Sequence, residues 1–362
     1  MSNASAHPLR PVVIWLLTGC FLIACMVAIG GITRLTGSGL SITEWKPIIG
    51  ALPPMNEVEW HEAFDKYKQI PEYNLINQHM ELDDFKEIFF WEFLHRNWGR
   101  LMGIVFIVPF VWFWGKGLLK GWLMRRGWSI LIGGGLVGAL GWFMVVSGLE
   151  DNPDVSQYRL AIHLCAAFIV FCLVLWTIFD IQWGRRSFLG DGTSAAKWSR
   201  WLLLIVMVQI IYGAFTAGLD AGRIYNTWPL MNGEFMPANV TAFGSLWKDF
   251  TDHRDGVQFI HRNFAWVVAI AVIWFGYANR RNKALKGGDI LLFFAVFIQF
   301  ALGVLTLITQ VWLPLGVLHQ LGALLLLSVL LHVLHHTGRV LPAEAVREAA
   351  DVRADAIGHR GQ

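Results

Sequence analysis

Two copies of a short histidine-containing motif mark the part of the sequence that could do chemistry. The segments EFLHRN and QFIHRN each precede a long apolar run, so His95 and His261 lie where a polar segment enters a hydrophobic one. Glu92, three residues before His95, becomes Gln258 in the second copy. An imidazole can ligate a metal ion and a carboxylate can exchange protons, whereas an amide cannot. The first copy therefore carries an acid–base group that the second lacks.

A second pair of histidines follows the same plan. His163, in YRLAIHL, and His319, in LGVLHQL, each lie in the first turns of a later apolar run. The second half of the chain thus repeats the order of motifs in the first half, which indicates a duplication. Each copy supplies two histidines, at the starts of alternate apolar runs.

The apolar runs that position these histidines are long enough to cross a bilayer. The 362 residues are 55% apolar and only 15% charged, with a mean hydropathy of +0.49, which excludes a soluble globular protein. A membrane helix needs about 20 apolar residues, and continuous runs without alternation indicate helices. We therefore predict an all-α, polytopic membrane protein. Its eight helices are expected at about residues 12–32, 98–114, 128–148, 160–180, 201–219, 263–278, 290–311 and 315–334.

Charges between the runs predict the orientation of the chain. The connections after the second, fourth and sixth runs are rich in Lys and Arg, whereas the one after the third carries Glu150, Asp151 and Asp154. Basic short connections stay in the cytoplasm. Both termini are therefore predicted to be cytoplasmic, and the long connections 33–94 and 220–260 to be outside. All four histidines would then lie near the periplasmic face of a cell inner membrane.

The duplication also predicts how the chain is divided. Four helices per copy keep the same orientation in both, so the repeats are parallel and each is expected to form a four-helix bundle. The predicted units are an N-terminal bundle (1–182), a cytoplasmic linker (183–200), a C-terminal bundle (201–337) and a polar cytoplasmic tail (338–362).

Two imidazoles that face each other across an apolar bundle are typical of haem ligation. Haem iron takes axial histidines, and bundles build cofactor sites from side chains on facing helices. A structural zinc site takes four protein ligands, and no thiolate or carboxylate set accompanies these histidines. Each half is therefore predicted to bind one haem iron, through His95 and His163 or through His261 and His319. The alternative interpretation is four interfacial histidines without a ligand.

Charged residues beside these histidines have two interpretations each. Arg96 and Arg262 directly follow the leading histidines, and either pair with haem propionates or extend to the membrane interface. Arg34 is a third candidate for propionate binding. Glu92 either exchanges protons beside a bound haem or pairs with Arg96 one helical turn later. Three more histidines, without counterparts in the first half, are interpreted as interfacial: His332, His335 and His336.

Across about residues 10–338 the sequence resembles the haem A synthases, in the form found in alphaproteobacteria and mitochondria. The motifs that carry this resemblance are GGITRLTGSGLSITEWKP, EFLHRNWGR, GWFMVVSGL, YRLAIHL, QFIHRNFAW and LHQLGALLLL. Together they are specific, whereas a single HR dipeptide would carry no weight.

The resemblance implies an oxidoreductase that converts the C8 methyl of haem O to a formyl group, with water as the oxygen source. Its product would be haem A for cytochrome c oxidase. It implies that His261 and His319 ligate a haem b cofactor in the second half. His95 and His163 would serve the haem O substrate in the first half, and Glu92 matches the catalytic carboxylate of the family.

The expected partners follow from the same resemblance. They are haem O delivered by haem O synthase, an electron acceptor that the sequence does not identify, and cytochrome c oxidase assembly factors. The lipid bilayer is expected around the helices, nucleic acid is not expected, and a homo-oligomer is left open. Some relatives carry a cysteine pair in an outer loop. All four cysteines of this chain lie in predicted helices instead (Cys20, Cys25, Cys165 and Cys172), so no thiol-dependent step is transferred.

Two other function classes also fit the four histidines. One is a di-haem b-type membrane cytochrome, linked to quinol, that moves electrons without altering a haem. The other is a transporter or assembly chaperone that binds haem without chemistry. Neither explains why only the first half carries a glutamate before its histidine.

Overall fold

The computed structural model describes residues 8–44, 49–149 and 154–342. Across these residues the chain forms helices joined by turns and loops, and no extended strand occurs among them. The all-α prediction is therefore confirmed. The predicted features that lie outside the described residues are Trp45 and Pro47 of the first outer loop, residues 150–153 of the acidic turn, and the tail from 343 onward.

Eight helices within the described residues are long and apolar enough to cross a membrane, and each corresponds to one predicted run. They are α1 (Arg10–Leu35), α4 (Leu82–Gly115), α5 (Gly121–Val146), α6 (Gln157–Trp183), α7 (Ser194–Gly218), α9 (Arg254–Asn279), α10 (Gly288–Ile308) and α11 (Leu313–His336). Three shorter helices lie in the long connections: α2 (Glu57–Tyr67), α3 (Pro71–Leu75) and α8 (Leu246–Thr251).

The longest helix, α4, begins well before its apolar run and so carries the EFLHRN motif in regular helical backbone. A capping box starts it, in which the Asp84 carboxylate accepts a hydrogen bond from the backbone N–H of Glu81 at 3.0 Å. Phe85, Phe89 and Glu92 are buried along one face, as their spacing predicts. The motif is therefore held on a rigid element rather than in a loop.

Each half of the chain forms the same closed ring of helix contacts. In the first half α1 packs on α4, α4 on α5, α5 on α6, and α6 on α1. In the second half α7, α9, α10 and α11 contact one another in the same order. The two rings meet where α6 packs on α7 and α11, and where α1 packs on α11. This pattern agrees with a four-helix bundle in each half.

Polar contacts join the two rings at the end where α1 and α7 finish, here called the histidine end. The Arg34 guanidinium donates to the Asp220 carboxylate at 2.9 Å and to the Ala217 carbonyl at 2.8 Å. Arg34 therefore binds the second half of the protein, and a propionate would have to displace Asp220 to pair with it.

A second contact between the rings lies at the opposite end of the helices. His335 is fully buried, and its Nε2 lies 3.1 Å from a carboxylate oxygen of Asp180 on α6. That oxygen also accepts from the backbone N–H of Arg186 at 3.1 Å. His336 is buried as well. Interpreting these two histidines as interfacial is wrong, because they pack inside the protein between α6 and α11.

The outer connection of the first half packs a small aromatic cluster onto the start of α4. Phe64 and Tyr67 of α2 are buried against Phe85, as their spacing predicts. Met55, before the helix begins, and Val58, in its first turn, are both exposed. The buried face of α2 therefore comprises only its second half.

Glu72 lies buried beneath this cluster and makes it sensitive to pH. Burial raises the pKa of Glu72 from its ordinary value of 4.5 to about 7, and a hydrogen bond from the Tyr67 hydroxyl at 3.3 Å offsets part of this rise. Because the folded value lies above the unfolded one, the folded state binds the extra proton. Stability is therefore highest at low pH and falls as the pH rises through this window.

The variant Glu72→Gln tests this pH dependence. The wild-type protein should lose up to about 3 kcal/mol between pH 4.5 and pH 8, since one pKa unit corresponds to about 1.4 kcal/mol. Glu72→Gln should flatten this loss, measured as thermal unfolding or proteolysis of the outer connection in detergent. Glu62→Gln, at an exposed position of α2, is the control and should keep the wild-type profile. An unchanged slope in Glu72→Gln would contradict the assignment.

Candidate functional site

The histidines of the second half face each other across their ring of helices. The imidazoles of His261 on α9 and His319 on α11 have ring centroids 6.4 Å apart and planes at 82°. Two imidazoles bound to opposite sides of one metal, each at about 2.0 Å, have centroids about 6.4 Å apart. The pair therefore has the separation of two axial ligands of a single metal ion.

Each of the four histidines packs against a glycine of a neighbouring helix. A Cβ built on these glycines would lie 2.9–3.2 Å from the imidazole, so a side chain at that position would displace the ring. The pairs are Gly30 with His95, Gly141 with His163, Gly213 with His261, and Gly303 with His319. Each glycine lies five residues before the end of its helix. The four imidazoles therefore lie at a common depth below the histidine end.

The histidines of the first half also lie near each other. His95 of α4 and His163 of α6 lie close enough for their ring charges to interact. Nδ1 of His163 lies 3.1 Å from the backbone carbonyl of Val137 on α5. Among the described residues no cluster of three or more His, Cys, Asp or Glu could hold a metal ion. Two histidines per half suit an iron whose other ligands come from a porphyrin.

Glu92 of the first site accepts four hydrogen bonds. It is 3% exposed. One carboxylate oxygen accepts from the Ser41 hydroxyl and from the Ile42 backbone N–H, both at 2.7 Å. The other accepts from Nη2 and Nε of Arg96 at 2.6 and 3.0 Å. The pairing with Arg96 is therefore present, and proton exchange at Glu92 requires one of these four bonds to break.

Gln258 occupies the corresponding place in the second half with a different set of bonds. Its amide is 1% exposed and donates to the Tyr225 carbonyl at 3.2 Å. Arg262 donates to the carbonyls of Tyr225 and Thr227 and to those of the two residues after Trp228. Arg96 likewise donates to the carbonyls of Ile42 and Glu44, in the loop that follows α1. Both arginines thus bind carbonyls of the outer loops.

Two glutamines of the second site were missed by the sequence analysis. Nε2 of Gln209 lies 3.1 Å from Nδ1 of His261 and donates to the backbone carbonyl of the same residue at 3.0 Å. Gln299 bonds His319 in the same way, at 3.2 and 3.0 Å. The available signal was a glutamine four residues before a glycine inside an apolar run, in QIIYG and again in QFALG.

The comparison with protein families covers nearly the whole set of helices. Residues 13–331 match the COX15-CtaA family, described as cytochrome oxidase assembly protein. The chain belongs to the COX15-CtaA family. The matched range contains both histidine pairs, Glu92 and both glutamines.

Several relatives match this COX15-CtaA chain over most of its length. A protein of Flavobacterium johnsoniae named heme A synthase is 44% identical over 91% of this chain and 98% of its own. A heme A synthase of Parvibaculum lavamentivorans is 44% identical over 90% of this chain and 94% of its own. A heme A synthase of Rhodospirillum centenum is 43% identical over 95% of this chain and 92% of its own. The shared region thus extends over both halves.

In this COX15-CtaA family member, Arg96→Leu tests the bonding of Glu92. Removing the guanidinium leaves a buried carboxylate without its charged partner, which destabilises a protein by about 3–5 kcal/mol. Adding Glu92→Gln to the same chain should recover much of that loss. Unfolding of the purified protein in detergent measures both effects.

Lys86→Leu is the matched control for Arg96→Leu. Lys86 lies on the same helix and pairs at 2.8 Å with Asp83, whose side chain is 91% exposed. Breaking such an exposed pair costs less than about 1 kcal/mol. Equal losses of unfolding free energy in Arg96→Leu and Lys86→Leu would show that the Glu92–Arg96 pair contributes no more to stability than an exposed pair.

Proposed function

We propose that this protein is a haem A synthase, which oxidises the C8 methyl of haem O to a formyl group and supplies haem A for cytochrome c oxidase. The observation that carries the proposal is one scaffold with two paired-histidine sites, of which only the first has a carboxylate, Glu92, beside it. The relatives named heme A synthase extend over the same two halves. An electron-transfer cytochrome gives no role to this asymmetry.

His261 and His319 would hold the haem b cofactor in the second half. The separation of their rings fits one iron between them, and the Gln209 and Gln299 side chains lie beside the two Nδ1 atoms. Such a haem supplies a one-electron redox centre next to the reacting site. Gln258 and Arg262 keep the outer loop closed over this half through backbone carbonyls, without a titratable carboxylate.

His95 and His163 would bind the haem O substrate in the first half. Oxidation of a methyl to a formyl group with water as the oxygen source releases four protons and four electrons, so the site needs a proton acceptor. Glu92 is one helical turn from His95, and its bond to the neutral Ser41 hydroxyl is weaker than its bonds to Arg96. Its Ser41-facing oxygen is thus the atom that can accept a proton while Arg96 keeps the carboxylate in place. Arg96 and Arg262 remain candidates for binding propionates at the histidine end.

The arrangement in the membrane follows the sequence predictions. The proposal includes two parallel four-helix bundles (1–182 and 201–337), both termini in the cytoplasm, and the histidine end at the periplasmic face of the inner membrane. Its support is the identical contact ring of each half and the common depth of the four imidazoles. Haem O synthase as donor and cytochrome c oxidase assembly factors as recipients belong to the same proposal. The electron acceptor is a further partner.

Co-expression with a haem O synthase tests the reaction. Chromatography of extracted pigments should show haem A in cells with the wild-type chain, and unchanged haem O would overturn the proposal in favour of a di-haem cytochrome. Glu92→Gln should reduce haem A at least a hundredfold, since loss of a general base costs about 10²–10⁴-fold. Glu87→Gln, exposed on the same helix, should leave haem A formation intact. Full activity of Glu92→Gln would remove this residue from the mechanism.

Histidine variants test the division of labour between the halves. His261→Ala and His319→Ala should each abolish the low-spin b-type absorbance of the purified protein, because one axial ligand is lost. His95→Ala should keep that absorbance while losing haem A formation. His61→Ala, at an exposed position of α2, controls for substitution itself. A b-type signal that survives in both second-half variants would show that the cofactor lies elsewhere.

A further inference from the structure

The two histidine pairs differ in what holds their rings. In the second half a glutamine lies four residues before the glycine on which the imidazole packs, one on α7 and one on α10. Each amide nitrogen bonds both Nδ1 and the backbone carbonyl of one histidine. An amide side chain therefore lies against each imidazole of the second half.

The protein makes room for one of these amides. Any side chain at Gly322 of α11 would collide with Oε1 of Gln299. Oε1 of Gln299 and Oε1 of Gln209 are both buried, and neither accepts a hydrogen bond from the described residues. A histidine that gives Nε2 to a metal carries its proton on Nδ1 and is stabilised by an acceptor there. An amide N–H cannot donate to a protonated Nδ1, so each glutamine would turn this free Oε1 toward the ring when Nε2 binds a metal.

The corresponding positions of the first half carry no amide. Four residues before Gly30 lies Met26, and four residues before Gly141 lies Val137. The Met26 methyl faces Gly99 on α4, at 3.4 Å from a Cβ built there. The Val137 side chain makes no hydrogen bond, and only its backbone carbonyl approaches His163. The first pair therefore has no glutamine beside its rings, and the Val137 carbonyl is the acceptor at Nδ1 of His163.

We propose that Gln209 and Gln299 are positioning residues that make the second site retain its haem, and that Met26 and Val137 in their place let the first site release its ligand. This rests on the proposed function, in which the second haem is a resident cofactor and the first is substrate and product. An enzyme that turns over must exchange one haem and keep the other. The two halves differ in haem retention because two side chains per site differ, whereas both halves keep their ligating histidines.

Gln209→Leu and Gln299→Leu test retention in the full-length protein. Removing an outer partner of a ligand usually lowers metal affinity about 10–100-fold. Transfer of haem b to excess apomyoglobin should therefore become faster by about the same factor. The near-perpendicular rings of the wild type should give a low-spin EPR signal with a large principal g value, and this signal should change as the rings reorient. Transfer and EPR that match the wild type would overturn the proposal.

Two controls separate positioning from general damage. Gln299→Glu restores an acceptor for Nδ1–H and should keep the haem while moving its reduction potential to more negative values, because a more basic ligand favours ferric iron. Gln320→Leu removes another amide of α11 that packs against Gly31 and touches neither imidazole. It should leave haem transfer unchanged. Equal acceleration in Gln320→Leu and Gln299→Leu would assign the effect to packing and contradict a positioning role.

The reverse exchange tests release. Met26→Gln with Val137→Gln places the amides in the first half, and the protein purified from cells that make haem O should then carry about two haems per chain instead of about one. Unchanged haem content in a folded double variant would contradict the release part of the proposal. A wild-type protein that holds no b-type haem would instead refute the proposed function itself, so the two failures are distinguishable.

Discussion

The arrangement of the whole molecule depends on the contact of an imidazole with the backbone of a neighbouring helix. An aromatic ring can lie that close only where the facing residue has no side chain, and the chain meets this condition four times, at Gly30, Gly141, Gly213 and Gly303. Each contact fixes a helix pair in register, because the glycine lies at the same distance from its helix end in every case. Common depth and facing rings are two consequences of that one constraint.

The two halves share one helix arrangement but differ in the polar side chains beside their histidines. The first site has Glu92, with its carboxylate bonded by Ser41, Ile42 and Arg96. The second has a neutral amide at that place. A buried carboxylate with a guanidinium partner is stable in this position, one helical turn from His95. The distribution of a few polar side chains thus separates a reacting site from a retaining one, as proposed above.

Contacts between the halves lie at both ends of the helices. Arg34 binds Asp220 and a carbonyl of α7 at the histidine end, while Asp180 and His335 meet at the opposite end. Between these points the halves meet through apolar packing of α1, α6, α7 and α11. Directional hydrogen bonds at both ends oppose sliding and rotation, which apolar packing in a membrane resists only weakly. The relative position of the two sites is fixed by these bonds.

The sequence by itself determined the number and type of the helices, the duplication, and the histidines at the starts of alternate helices. This was possible because a membrane span needs a long apolar run, which can be recognised from the local sequence alone. Only the tertiary structure decided which groups touch those histidines and Glu92. Gln209, Gln299 and Ser41 come from other helices or loops, and Arg34 and His335 turn toward the other half instead of toward a ligand or lipid. Hydrogen-bond partners that are distant in the chain depend on packing between helices, which no local pattern in the sequence records.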